Sequence, residues 1–367
     1  MMIWRCDLLP QYEAYKDEIQ EAITRVLESG RYVLANEVAQ FEKEFSDYVG
    51  VDYGVSVANA TDALTLSLMA LGIAHGDEVI TTPYTAIPTV SAIIASGATP
   101  IFVDICEDTY LMDLKKVATA ITPKTKAIMP VHIFGNVMDV EKLKKIVGND
   151  IYIVEDASQA HGATIRGKQA GSMGDIGVFS FYPTKNLGAY GDGGIAVTQN
   201  KNLDAQLRLL RMYGMTDKDH IKINGINSRL DEMQASILRV KLKHLDKMNQ
   251  SRRDIAQRYQ EELPTELFKH QVIDEGVESN YHVFNSAFLG DRDAFVRYMD
   301  EHDIQTNIYY LMPLHLQEAT RYLGGKVGDC PVAESLCKQA IALTFYPELK
   351  KDILDQVIKT VNQFVNL

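Results

Sequence analysis

An α/β fold with a mainly parallel sheet flanked by helices, followed by a smaller C-terminal α+β domain, is what this chain predicts. Three observations carry that expectation. Short apolar runs alternate with helical stretches between residues 55 and 198, the pattern of βαβ units. Two long helical stretches rich in Arg, Lys and Gln, 200–213 and 230–262, then end the alternation. A length of 367 residues with 46% apolar content suffices for one large domain and a smaller one.

The elements follow in order. Residues 11–28 have helical apolar spacing and stop at Ser29-Gly30, and 37–48 form a second helix stopped by Gly50. Strands are expected at 55–58, 78–81, 99–103, 127–131, 151–154, 176–181 and 194–198. Helices are expected at 61–71, 87–96, 114–121 and 140–147. The 230–262 stretch bridges to the C-terminal part, where 282–288 reads as a strand and 293–301 and 349–364 as helices. The division falls between 1–245, a large domain with an N-terminal arm, and 246–367, a small one. In such a sheet, ligands bind where strands give way to loops at their carboxyl ends.

Composition excludes several classes. No apolar stretch is long enough to span a bilayer, and the N-terminus lacks a basic region followed by an apolar core, so a cytoplasmic protein without a membrane partner is expected. The net charge of -12 argues against a nucleic-acid surface but not against a phosphorylated small ligand, which needs only local donors and a helix N-terminus. Cys6, Cys106, Cys330 and Cys337 have neither zinc nor disulfide-framework spacing, and the nine histidines show no paired metal spacing. No metal is expected.

Two segments bear chemistry. In Val154-Glu155-Asp156-Ala157-Ser158-Gln159, Asp156 follows an apolar strand and so lies at its carboxyl end. Glu155 should point the other way. In Phe181-Tyr182-Pro183-Thr184-Lys185-Asn186-Leu187-Gly188, Lys185 lies just past another strand, in a loop that is apolar and aromatic rather than charged. An Asp at a strand end is usually a helix cap and a loop lysine is usually solvated. Together, an acid and a lysine on neighbouring strand ends can hold an aldehyde cofactor whose ring nitrogen stays protonated. The economical reading is pyridoxal phosphate (PLP) with Lys185 as its Schiff-base lysine. Asn59-Ala60-Thr61 joins a strand to a helix and offers free amides plus the helix dipole, an anion site suited to the cofactor phosphate; alone, it reads equally as a plain cap. Ser180 can add a hydroxyl there. GAYGDGG lacks the strand-to-helix context of a dinucleotide fingerprint, and no GxSxG elbow is present. His161 reads as a packed, hydrogen-bonded residue.

These segments resemble the sugar aminotransferases of the DegT/DnrJ/EryC1/StrS family, PLP enzymes of the aspartate aminotransferase fold type. The resemblance runs from FEKEF (41–45) through GDEVITTP, EDASQAHGA, GDIGVFSFYPTKNLGAYGDGG and NGINSRLDEMQASILRVKL to PLHLQ and GDCPVAE. It implies that Lys185 carries the cofactor and moves the proton, Asp156 pairs with the pyridine nitrogen and Gln159 contacts the ring hydroxyl. It further implies that Ala60, Thr61 and Ser180 hold the phosphate. A homodimer with shared active sites is implied, with Asn227 of GxNxR reaching the partner's phosphate and Arg229 close by. Tyr310, His315 and Tyr32 are implied near the sugar or nucleotide. Two positions depart from the family pattern. Ala60 stands where Gly is usual, which is tolerable unless the site needs positive φ. Ala86 stands where an aromatic ring usually covers the cofactor, so either Ala86 offers a small face or Tyr84 is re-aimed.

The implied reaction moves an amino group from glutamate to a nucleotide-linked keto-6-deoxy sugar. NSRLDEMQA most resembles the branch acting at carbon 3 of dTDP-keto-6-deoxyhexoses, with carbon 4 of a dTDP- or UDP-4-keto sugar as runner-up. Competing classes are a non-catalytic PLP- or nucleotide-sugar-binding regulator and a metal-assisted sugar hydrolase. The presence of Lys185 disfavours the dehydratase branch, in which histidine replaces it.

Overall fold

The computed structural model describes residues 2–365. Its N-terminal segment forms helices α1 (Leu9–Ala14), α2 (Lys16–Ser29) and α3 (Asn36–Val49). Gly30 and Gly50 end the last two in the left-handed conformation, φ 63° and 82°, which a glycine adopts without steric cost. The helix expected at 11–28 is two helices, broken at Tyr15 (φ -121°, ψ 17°).

The alternation that follows is β1 (Tyr53–Val57), α4 (Ala60–Ala70), β2 (Glu78–Thr81), α5 (Ile87–Ala95), β3 (Thr99–Phe102), α6 (Leu114–Ala120), β4 (Thr125–Ile128), α7 (Val140–Val147) and β5 (Tyr152–Asp156). A small hairpin, β6 (Thr164–Ile165) and β7 (Lys168–Gln169), precedes β8 (Ile176–Ser180) and β9 (Gly194–Thr198). The seven-stranded sheet has the order β1-β9-β8-β5-β4-β2-β3. All its strands are parallel except β9, which runs against both neighbours. The expected parallel sheet is present, and the hairpin was hidden because two-residue strands carry no periodic signal.

After α8 (Lys201–Leu210) come α9 (Glu232–Leu242) and α10 (Leu245–Glu262). The continuous helix expected at 230–262 is broken at His244, whose ring stacks on Tyr15 at 4.2 Å and 16°. The two interruptions thus pack on each other, a tertiary contact that continuous apolar spacing cannot reveal. The remaining elements are β10 (Phe268–His270), β11 (Val277–Glu278), β12 (Asn285–Phe288), α11 (Arg292–Glu301), α12 (Pro331–Gln339), β13 (Ala340–Ala342) and α13 (Lys351–Phe364). Strands β10, β12 and β13 make an antiparallel sheet, while β11 pairs back with β6. Phe268, Phe288, Phe295 and Phe345 fill the core under the C-terminal sheet, and Ile3 joins them from the chain's start. Ile3 N donates to Asp303 O at 2.7 Å and Phe345 N to Arg5 O at 2.8 Å.

The core also fixes what reaches the reactive loop. Phe41 and Phe45 of α3 pack edge-on against Phe179 and Phe181 on either side of Ser180, with centroids 5.0–5.3 Å apart. All four rings are buried. Burial of such a ring stabilises by about 1.5–3 kcal/mol, and each edge-on pair adds roughly 1 kcal/mol. The end of β8, from which the Lys185 loop departs, is therefore among the best-anchored points of the chain.

Candidate active site

One edge of the sheet gathers the chemistry. Chain segments leave β1, β2, β5 and β8 at their carboxyl ends, and β9, running the other way, enters at the same edge. Together they enclose a cavity of about 300 Å³, lined by Asn59, Ala60, Thr61, Thr85, Ala86, Asp156, Gln159, Ser180 and Lys185 among others. That is the crevice at which open α/β sheets bind ligands.

Asp156 ends β5 and is buried. Its Oδ2 accepts from Thr89 Oγ1 at 2.8 Å, and Thr89 Oγ1 lies 3.1 Å from Thr85 Oγ1. Its Oδ1 accepts the Ser158 amide at 3.2 Å. Glu155 takes the opposite face, as strand geometry requires. There it meets His132 Nε2 at 2.9 Å and accepts the amides of Gly171, Met173 and Gly174. One acid of the pair organises a buried loop, and the other faces the cavity.

Lys185 is half-buried on the cavity wall. Burial lowers its pKa to about 8, while the Asp156 carboxylate acts in the opposite direction. A lowered value leaves roughly a tenth of the amine uncharged and nucleophilic at neutrality, against well under a thousandth for an unshifted lysine. The loop is pinned at several points. Lys185 N donates to Tyr182 O at 2.8 Å, and Asn186 Nδ2 donates to Asn249 Oδ1 at 2.8 Å and Asn280 O at 3.0 Å. From α9, Lys241 Nζ donates to Gly188 O and lies 5.0 Å over the Tyr190 ring, and Gln234 Oε1 accepts the Tyr190 amide at 2.9 Å. A Cβ on Gly188 would come within 2.3 Å of Pro183 O, so the tight turn demands glycine.

The helix start expected as an anion site opens at the cavity. Asn59 caps α4 through Oδ1 to the Asp62 amide at 2.8 Å, leaving the Ala60 and Thr61 amides at the first turn for a ligand. Ala60 is helical rather than at positive φ, so its methyl is tolerated. A Cβ on Gly194 would lie 2.5 Å from Asn59 C and 2.6 Å from Ala60 N; only glycine lets β9 pass this close.

The structure gathers Lys185, Asp156, Gln159, Ser180, Ala60, Thr61 and Ala86 around the cavity and leaves the other expected residues off its wall. Tyr84 is fully buried, edge-on to Phe134 and Tyr310 at 6.1 and 5.1 Å, so of Tyr84 and Ala86 it is Ala86, next to Thr85, that faces the cavity. Tyr310 reaches Gln159, its Oη accepting from Nε2 at 3.0 Å. His315 is buried against Glu334, Nε2 to Oε1 3.1 Å. Tyr32 is 51% exposed, Asn227 is exposed and Arg229 half-buried. Between the last two, Ser228 is fully buried; its Oγ donates to Asp62 Oδ2 at 2.6 Å and accepts the Ala58 amide at 3.0 Å. Ser228 and Thr89 were missed from sequence. The available signals were the serine inside GxNxR and a second threonine one turn past Thr85. His161 packs against Phe179 and Phe181, and its carbonyl accepts from Asn249 and Asn280. Burial and the nearby Lys185 charge lower its pKa to about 3.

The donor set suits PLP. An amine and an acid share one wall, a capped helix start can take a phosphate, and Gln159 can meet a ring substituent. Among the described residues no cluster of His, Cys, Asp or Glu is placed to hold a metal, no cysteine is in a disulfide, and no helix is long and apolar enough to cross a membrane.

Comparison with known proteins points the same way. The DegT/DnrJ/EryC1/StrS aminotransferase family matches residues 13–362. A dTDP-3-amino-3,4,6-trideoxy-alpha-D-glucose transaminase from Micromonospora megalomicea subsp. nigra is 41% identical, covering 97% of each chain. A pleiotropic regulatory protein of Geobacillus stearothermophilus is 40% identical over 98% of this chain and 97% of its own. The X-ray structure of DesV from S. venezuelae in complex with a ketimine intermediate superposes with a TM-score of 0.96 at 39% identity, covering 100% of this chain and 99% of that one. Other solved relatives hold PLP or its aminated form. This chain belongs to the DegT/DnrJ/EryC1/StrS aminotransferase family and is a PLP-dependent sugar aminotransferase.

Proposed function

We propose that this enzyme moves an amino group from glutamate to carbon 3 of a dTDP-linked 3-keto-6-deoxyhexose, in the cytoplasm, as a homodimer with shared active sites. The observation that carries the reading is the meeting of Asp156, Lys185 and the α4 start in one cavity. When bound, PLP supplies an aldehyde that takes up amines as imines and a ring that accepts electron density from the carbon losing a proton.

The protein's own part divides among named groups. Lys185 Nζ holds the aldehyde between turnovers, takes the proton from the α-carbon of glutamate and returns one to carbon 3 of the sugar. Acid and base roles fall to one amine because it is set free when glutamate's amine displaces it in the first half-reaction and recaptured only at the end of the second, meanwhile placing the glutamate proton on the cofactor's aldehyde carbon and later taking one from there for carbon 3. Asp156, held by Thr89 and the Ser158 amide, keeps the ring nitrogen protonated. The Ala60 and Thr61 amides and the Ser180 hydroxyl bind the phosphate. Ala86 offers a small face to the ring, and Asn227 and Arg229 act in the partner's site.

The carbon-3 assignment is supported by the name of the Micromonospora relative. Carbon 4 of a dTDP- or UDP-4-keto sugar is the alternative. The Geobacillus relative's name favours a second reading, a regulator that binds PLP without turnover. Mass spectrometry of products from dTDP-, UDP- and GDP-keto sugars incubated with glutamate tests all three. A 3-amino dTDP sugar is expected. A 4-amino product or a non-dTDP preference overturns the substrate assignment. A visible band that does not move on adding glutamate favours the regulator.

A further inference from the structure

Both ends of the Gln159 side-chain amide are engaged. Oε1 accepts the Phe134 backbone N–H at 2.8 Å, and Nε2 donates to Tyr310 Oη at 3.0 Å. A backbone N–H can only donate, so it dictates which end of the amide is oxygen and forbids a flip. A primary amide carries two N–H donors. Tyr310 takes one, and the other is left for the occupant of the cavity that Gln159 lines.

The two residues holding Gln159 share an unusual backbone. Phe134 has φ 58° and Tyr310 φ 62°, the left-handed region, which an L-residue other than glycine adopts only at a steric cost. Their rings stack at 6.0 Å and 16°, and Tyr84 closes the cluster edge-on to both. Strain of this kind persists where the surroundings over-determine it. Here two strained residues from distant segments converge on one side chain at the cavity wall. Burial raises the Tyr310 pKa, so its phenol stays neutral at working pH.

We propose that Tyr310 is a positioning residue: with Phe134 it locks the Gln159 amide so that its second N–H faces the ring oxygen of bound PLP. The proposal rests on the reading that Gln159 meets that oxygen, and it moves Tyr310 from the sugar's neighbourhood to a place behind the cofactor contact. A donor to the ring oxygen favours its anionic form and so favours loss of the proton from the lysine-bound chromophore. Slackening that donor raises the chromophore's apparent pKa. The charged and titratable groups on the same wall are Asp156, Tyr182, Lys185 and Asp192. Behind them, burial lowers the pKa of His161 and His282 and keeps both neutral. None of these is altered by Tyr310→Phe, which also keeps the ring stacking.

The test is the visible absorbance of the PLP-loaded protein titrated with pH, for wild type, Tyr310→Phe, Gln159→Leu and the double variant. Gln159→Leu is expected to raise the apparent pKa by about one unit, the scale of one hydrogen bond to a charged group. Tyr310→Phe should raise it by less, and the double variant should match Gln159→Leu alone, because one residue acts through the other. A Tyr310→Phe protein that titrates as wild type while Gln159→Leu shifts overturns the positioning role, as does an additive double variant. A Gln159→Leu protein with no shift removes the ring-oxygen contact and the proposal with it. Retained PLP stoichiometry in Tyr310→Phe separates a moved hydrogen bond from a damaged fold.

Discussion

The cofactor side of the cavity comes from strand ends of one sheet, whereas none of the residues expected to meet the sugar lines the cavity. Asp156, Ser180, Lys185 and the α4 start are each within a few residues of a strand terminus, and backbone pairing fixes their spacing. Tyr32 lies between α2 and α3, Asn227 and Arg229 between α8 and α9, and Tyr310 and His315 between α11 and α12, three connecting segments in all. On the proposed function, the difference teaches that the reaction is written into the sheet edge of a single chain, while selectivity falls to segments that the edge does not organise.

The sharpest way to break this contrast is at the sheet edge. Lys185→Ala should still bind PLP but lose its imine band and turn over at least about 10³-fold more slowly, the scale of removing a positioned proton-transfer group; normal turnover in a steady-state assay would end the assignment. Asp156→Asn should keep the fold and cut kcat by roughly 10²–10³-fold, comparable to losing one preorganised electrostatic partner. A kcat within a few-fold of wild type would show that ring protonation does not depend on it. The dispersed side is tested by mixing subunits. If Asn227 serves the partner's cavity, remixed Lys185→Ala and Asn227→Ala subunits should recover about a quarter of wild-type activity, since half the dimers are hybrids with one intact site. No recovery after verified subunit exchange would place Asn227 outside the site.

A subtler test concerns the amine itself. With the Lys185 pKa lowered from 10.5 to about 8, the PLP-free protein should take up PLP faster as pH rises through 8 and level off above it. Stopped-flow absorbance reads that midpoint; a value near 10 would mean the amine is solvated rather than enclosed.

The same contrast governs how much was legible in the sequence. The parallel sheet and the Asp156–Lys185 pairing could be read because apolar strands flank both residues and strand ends converge by topology alone. A polar cap at the start of α4 followed from local chemistry, and the structure assigns it to Asn59 rather than Thr61. Tyr84 could not be placed, because only the aromatic cluster of Phe134 and Tyr310 decides which way its ring turns. The Tyr15 and His244 breaks were hidden by continuous helical spacing. Ser228 was overlooked between two residues that family resemblance made conspicuous, although it is the one of the three that is buried and tied to the start of α4.

Lys241, clamped beneath Gly188, carries a consequence for proton linkage. It is 1% exposed, and burial lowers its pKa from 10.5 to about 8. Between those two values the unfolded chain holds a proton that the folded chain has released, so folding becomes more favourable as the solution turns alkaline across that interval. The total gain is at most about 3 kcal/mol. Below pH 8 both states hold the proton and the dependence vanishes. Denaturant midpoints followed from pH 7 to 10 should rise in the wild type and rise less steeply in Lys241→Met, where only the equal shift of Lys185 remains, so that the floor of the reactive loop hardens in the same alkaline range in which Lys185 sheds its own charge.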